Sequence, residues 1–209
     1  MKKVILIGLI MMLVQLVNAQ INAITETGDE VILYEDGSWE YLNDSIIESS
    51  KISINDKEFL KDKNSTFLVK SKKLNVGIWI NPKSWSFTKG TDKDAFEFQF
   101  QKKGEDLYAM LISEKLQVPI ETLKAIAIKN AKSAASDIRV IKEEYRTVNG
   151  IQVLTMQMTG TIQGVRFTYY GYYYSNLNGT IQLVTYSGEN LFNDYLADIE
   201  LFINGFVEI

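Results

Sequence analysis

The sequence predicts an α+β fold, an antiparallel β-sheet flanked by helices with a small β-hairpin appendage ahead of it. Three observations predict it. Phe96, Phe98 and Phe100 alternate with Glu97, Gln99 and Gln101, the two-residue period of a half-buried strand. Asn149-Gly150, Gln163-Gly164 and Asn178-Gly179 punctuate the second half between apolar-patterned runs, and Asn-Gly suits hairpin turns that need positive φ. Two other segments carry apolar residues three and four apart, the period of a helix face.

Residues 1–19 read as a secretory signal. Met1-Lys2-Lys3 is basic, residues 4–17 carry no charge, and Val17-Asn18-Ala19 places compact residues at a cleavage site. The apolar run is shorter than a membrane span, which needs about 20 residues, and an uncleaved anchor is the alternative reading. Cleavage before Gln20 would move the net charge from −4 to −6 by removing Lys2 and Lys3. The expectation is a secreted, periplasmic or extracellular protein with no membrane span after signal cleavage.

Residues 20–43 form the predicted β-hairpin segment. Thr27-Gly28-Asp29 and Glu35-Asp36-Gly37 are turn signals, with strands over 31–34 and 38–41 that put Trp39 and Tyr41 on one face. Residues 44–65 are rich in Ser, Asn, Asp, Lys and Glu and read as a polar linker with a short helical turn near 56–60. Asp44-Ser45-Ile46 has the form of an O-glycosylation acceptor used by some bacteria.

Residues 66–209 make the larger domain. A strand pair leads to Asn81-Pro82-Lys83-Ser84-Trp85, and two strands follow, around 96–101 and 107–113. A helix opens at Pro119, with Glu121 in its first turn and Ile120, Leu123, Ala127, Ala131 and Ala134 on one face. Strands over 139–148, 151–162, 165–175 and 180–187 make an antiparallel meander. In the second of these, Leu154, Met156, Met158 and Ile162 face opposite to Thr155, Gln157 and Thr159. A last helix over 191–204 repeats Phe192, Tyr195, Leu196, Ile199, Phe202, Ile203 and Phe206, with Asn190 as N-cap and Gly205 as stop.

Composition narrows the chemistry. The chain has no Cys and no His, which excludes disulfides, Cys/His zinc sites and every histidine-dependent nucleophile scheme. An acidic chain is a poor partner for nucleic-acid phosphate. No Gly-rich phosphate cradle and no S-x-x-K signature occurs. Asp92 and Asp94, separated by a lysine, make a weak calcium loop. The sequence therefore predicts no catalytic residue, no cofactor and no metal. Glu143, Glu144, Asp194 and Asp198 leave a carboxylate-based glycan hydrolase as an alternative, which needs two carboxyls across a cleft.

The candidate binding residues are aromatic. Phe167, Tyr169 and Tyr173 fall on one face of a strand, with Gly171 as a gap between them, and Tyr170, Tyr172 and Tyr174 fall on the other. Two readings stay open. One face stands exposed as a row of tyrosines for a partner or sugar rings, or a helix covers each face and all six rings are structural. Trp85 reads as a core plug, and Trp39 reads as the exposed tryptophan. The predicted site is thus Trp39, Tyr170, Tyr172 and Tyr174.

Two resemblances follow from these motifs. Thr25, Gly28, Val31, Leu33, Asp36, Gly37, Ser38, Trp39 and Tyr41 resemble a short motif near the mature N-terminus of exported proteins of Bacteroidetes-type bacteria. The strand and helix order over 66–209 resembles the PsbP/DcrB-like group of α/β/α sandwich proteins. The Pro82/Trp85 segment, the Val148-Asn149-Gly150 turn, the aromatic strand 167–174 and the helix 192–206 carry that resemblance. It implies a non-enzymatic, partner-binding accessory role, and the favoured reading is an accessory or binding protein of the cell envelope that recognises an envelope protein or a small amphipathic ligand. A surface carbohydrate-binding module using exposed aromatics is the further alternative.

Overall fold

The structure, a computed structural model, describes residues 21–24, 30–34, 37–41, 52–91 and 93–209. The signal reading of 1–19, the motif residues Thr25, Gly28 and Asp36, the triplet at Ser45 and the acid Asp92 lie outside the described residues. The chain divides into two units, Met1–Lys51 and Ile52–Ile209.

In the first unit β1 (Ile21–Ile24), β2 (Glu30–Leu33) and β3 (Trp39–Tyr41) pair antiparallel in that order. The turn signal before Trp39 is realised by Gly37 N donating to Tyr34 O and Tyr34 N donating to Ser38 O. The hairpin gains β1 as a third strand, because four residues are too few for an alternating pattern to show.

The second unit runs β4 (Ser53–Phe59), β5 (Phe67–Lys70), β6 (Val76–Ile80), β7 (Trp85–Lys89), β8 (Phe98–Lys102), β9 (Tyr108–Glu114), α1 (Ile120–Ala134), β10 (Arg139–Val148), β11 (Ile151–Ile162), β12 (Val165–Asn176), β13 (Gly179–Gly188), α2 (Glu189–Ile203) and β14 (Phe206–Glu208). Among the described residues it builds an eight-stranded sheet of order β4-β10-β11-β12-β13-β9-β8-β7 and a three-stranded sheet of order β14-β6-β5. The predicted meander is β10 to β13, each strand antiparallel to the next. Its first two turns have positive φ at both central residues, 48° and 81° at Asn149-Gly150 and 50° and 81° at Gln163-Gly164. Those are the primed hairpin turns that match strand twist. The third turn lies one residue earlier than predicted, since Asn176 pairs with Gly179 across Leu177-Asn178.

Three sequence expectations are corrected. The stretch read as linker contributes β4, which runs parallel to β10 at the sheet edge, in place of a helical turn. Its side chains are mostly exposed, and only Phe59 enters the core. Backbone pairing and not a buried face holds it, so its polar sequence hid it. The single sheet becomes two, because Asn81-Pro82-Lys83-Ser84 turns the chain off β6 and into β7, with Ser84 N and Trp85 N both donating to Asn81 O. The chain also continues beyond α2 into β14, which pairs with β6. Helix α1 begins one residue after Pro119 and α2 begins at Glu189, small shifts of the kind helix ends show.

The large sheet carries a hydrophobic core on each face. On one, Phe98, Phe100, Ala109, Leu111, Val148, Val153, Tyr170, Tyr172, Ile181 and Leu183 pack against α2 and the small sheet, through Phe192, Ile199, Phe202, Ile78, Ile80 and Phe206. On the other face, Leu154, Met156, Met158, Tyr173 and Val184 pack against α1 through Leu123 and Ala127. One helix therefore lies on each face. The alternation read in β11 sorts its side chains between the two cores as predicted, with Leu154, Met156 and Met158 together and Val153 opposite. Each large apolar side chain buried in this way contributes about 1.5–3 kcal/mol relative to exposure.

Candidate functional site

The tyrosine strand is divided between the two cores. Tyr170, Tyr172 and Tyr174 point toward α2 and β14, where the Oη of Tyr170 donates to Glu200 Oε1 at 2.8 Å, that of Tyr172 to Asn204 Oδ1 at 2.6 Å and that of Tyr174 to Glu208 Oε1 at 2.5 Å. Tyr170 is 4% exposed and Tyr172 0%. The expectation that these two rings form an exposed binding row is corrected, because α2 covers that face and supplies polar partners for their hydroxyls. Tyr174 is half-buried at the margin. Burial pushes all three phenols up, aided by the charge of Glu200 at Tyr170 and by the hydrogen bond to Glu208 at Tyr174, which reaches about 12. Gly171 is not a gap for a ligand. A Cβ there would stand 2.3 Å from Leu183 O, so the close approach of β13 requires glycine.

Next to these rings lies a buried ion network. Arg146 Nε donates to Glu144 Oε1 at 2.6 Å, and its Nη1 donates to both oxygens of Glu200, at 3.0 and 2.8 Å. The guanidinium also lies 4.4 Å from the Phe59 ring centroid. Burial opposes the Arg146 charge, and Tyr170, Tyr172, Glu144 and Glu200 around it outweigh that and raise its pKa. Burial likewise opposes ionisation of Glu144, but hydrogen bonds from Arg146 and Asn55 and the charges of Arg146 and Lys142 hold its carboxyl below the ordinary range. Two carboxylates thus converge on one arginine, and its pair with Glu200 ties α2 to β10.

Three other candidate acids are also paired. Glu143 meets Lys124 at 2.6 Å, Asp198 meets Lys102, and Asp94 Oδ2 accepts from both Thr91 N and Thr91 Oγ1 at 2.7 Å. Among the described residues no three His, Cys, Asp or Glu side chains group as a metal site. Trp85 is buried, its ring centroid 4.1 Å from that of Phe202, which agrees with the core-plug reading. Trp39 is 53% exposed in the N-terminal unit, where it pairs across strands with Leu33, itself paired with Ile21.

A different aromatic set opens to solvent. On one face of the large sheet, α1 covers β11, β12 and the adjoining part of β13, and past it lies a groove of about 540 Å³. Its walls include Tyr108, Tyr186, Phe167, Gln99, Asp106 and Asn190. The β9–β13 register sets Tyr108 beside Tyr186, and their rings stack with centroids 5.5 Å apart and planes 20° apart. Tyr169 adds a third ring, 6.0 Å from Tyr186. Gln99 Nε2 donates to Tyr186 Oη at 3.2 Å, and Tyr108 Oη donates to Asp106 Oδ1 at 3.4 Å. Partial burial, then the nearby Asp106 charge, push the Tyr108 phenol up. A smaller cavity of about 170 Å³ shares Gln99 and Tyr108 and extends the groove past Ser86, Thr88 and Gln101.

Sequence reasoning did not find this site. It placed Gln99 and Gln101 on the polar face of a strand, but Tyr108 and Tyr186 come together only through the long-range pairing of β9 with β13. A lone tyrosine at each strand end gives no periodic signal.

No family model matches the sequence, and no curated protein sequence matches it. Solved structures do. The solution structure of cyanobacterial PsbP (CyanoP) from Synechocystis has a TM-score of 0.53 at 11% identity, over 68% of this chain and 92% of that one. LpqN, involved in cell envelope biogenesis of Mycobacterium tuberculosis, has a TM-score of 0.47 at 9% identity, over 68% of this chain and 88% of that one. A Pseudomonas aeruginosa protein of unknown function has a TM-score of 0.41 at 8% identity, over 64% and 90%. The cyanobacterial match spans nearly all of its own chain and two thirds of this one, so this protein has a PsbP-like fold.

Proposed function

We propose that this chain is an exported, non-catalytic binding protein of the bacterial cell envelope, and that it holds its ligand in the groove walled by Tyr108 and Tyr186. The observation that carries the reading is the groove itself. It is an open cavity of about 540 Å³ with stacked tyrosines and a few convergent polar groups, within the roughly 300–1,000 Å³ typical of small-ligand sites. An amphipathic ligand suits that lining. Among the described residues Asp106 is the one carboxylate of the lining, whereas glycoside hydrolysis needs a pair across the cleft. Export rests on the basic, apolar and small-residue order of 1–19. Trp39, in its exposed row with Leu33 and Ile21, offers the N-terminal unit a contact surface of its own.

The neutral dye N-phenylnaphthylamine tests the groove. The full-length protein is expected to enhance its fluorescence, and Tyr108→Ala/Tyr186→Ala is expected to lose most of that enhancement while keeping its far-ultraviolet circular dichroism. Equal enhancement by the folded double variant would remove the groove from consideration. Cell fractionation checks the other half, since recovery of the protein in the cytosol would contradict export.

A further inference from the structure

We infer that the two adjoining cavities, which share Gln99 and Tyr108, bind a neutral oligosaccharide. The inference rests on the groove reading above and names the ligand class. Among the described residues the lining contains no Lys or Arg, so an anionic ligand finds no cationic partner. Past Tyr108 the lining sets the hydroxyls and amides of Ser86, Thr88, Gln99 and Gln101 beside Phe87 and Phe100, a mixed wall and not a continuous apolar one. These groups both donate and accept hydrogen bonds, as the hydroxyls of a sugar do. The tyrosine rings supply the flat apolar surface against which the C–H face of a pyranose packs. Gln99 joins the two parts, because it lines both cavities and its amide is oriented by Tyr186 Oη. Asp106, beside Tyr108 at the larger cavity, accepts from ligand hydroxyls. Two cavities sharing one amide and one ring correspond to more than one sugar residue.

Gly188 gives a test that leaves the core alone. It lines the larger cavity at the residue before α2, with φ −57° and ψ 140°, a conformation that alanine adopts without strain. A Cβ there would stand 2.9 Å from Asn190 Oδ1, so Gly188→Ala displaces a flexible side chain of the groove and narrows it.

The experiment is a printed array of neutral and charged glycans, with calorimetric titration of the hits and dye binding in parallel. At least one neutral oligosaccharide is expected to bind. Gln99→Ala is expected to weaken it about tenfold, the loss of one well-placed hydrogen bond. Gly188→Ala is expected to weaken it with the melting temperature unchanged. Dye binding with no glycan bound overturns the saccharide inference and leaves the groove reading standing. Failure of both probes overturns both. Binding confined to charged glycans, or a neutral hit indifferent to both substitutions, also overturns the inference.

Discussion

Arg146→Ala is expected to destabilise the protein by about 3–5 kcal/mol, the loss that follows when one member of a buried ion pair is removed. The Arg146 side chain is 6% exposed and bonds Glu144 and Glu200 at once. Its removal leaves the Glu144 carboxylate buried, with Asn55 at 3.3 Å and Lys142 at 3.5 Å as its remaining partners, and opens a void beside Phe59. Arg146→Met keeps part of the volume and isolates the charge. Pairing it with Glu144→Gln removes the uncompensated carboxylate, so the double variant is expected to recover part of the loss. Urea unfolding measures all three. A loss below about 1 kcal/mol for Arg146→Ala would mean the network contributes no more than a surface pair.

The same network sets a pH dependence. The folded-state pKa of Glu144 is held below its ordinary value, so the unfolded chain takes up this proton first as pH falls. The stability it contributes is complete above the ordinary carboxylate pKa and is lost as pH falls through the folded value. In Arg146→Met the Arg146 hydrogen bond and charge are gone while those of Asn55 and Lys142 remain, so this pKa is less depressed and the acid slope of stability is expected to flatten. Parallel slopes in the two proteins would contradict this account.

The second large effect belongs to Phe202. This ring on α2 is 2% exposed and lies 4.1 Å from Trp85 on β7 and 5.1 Å, edge-on, from Phe100 on β8. It joins the helix to the far edge of the large sheet. Phe202→Ala deletes the ring where neighbours from β7 and β8 meet and cannot both collapse, at an expected loss of about 3–5 kcal/mol. Phe202→Leu, which keeps most of the volume, is expected to lose less. Urea unfolding gives the stability. Trp85 fluorescence gives an independent reading, because water admitted beside the indole shifts its emission to the red. An unshifted spectrum with near-native stability would mean the helix closes over the site.

Much of the fold was legible because it is written in local periods. The alternation at 151–162 and, from Phe98 on, that at 96–101, the Asn149-Gly150 and Gln163-Gly164 turns and the Phe192 to Phe202 stripe became the elements they predict. What was missed lacks a local period. Ser53–Phe59 has little apolar patterning and is a strand because β10 offers it a backbone edge. Phe206–Glu208 is three residues long and is a strand because β6 lies beside it. The candidate site was illegible for the same reason, since Tyr108 and Tyr186 are isolated in sequence and meet only across the β9–β13 ladder.

By itself the sequence determined that Tyr170, Tyr172 and Tyr174 share one face of a strand and Tyr169 and Tyr173 the other, since a strand's side chains must alternate. Only the tertiary structure decided which rings meet water. Helix α2 and β14 cover the first set, α1 covers Tyr173, and the opening is left at Tyr108 and Tyr186. Alternation is a property of a strand's own backbone, whereas exposure depends on where elements distant in sequence come to pack.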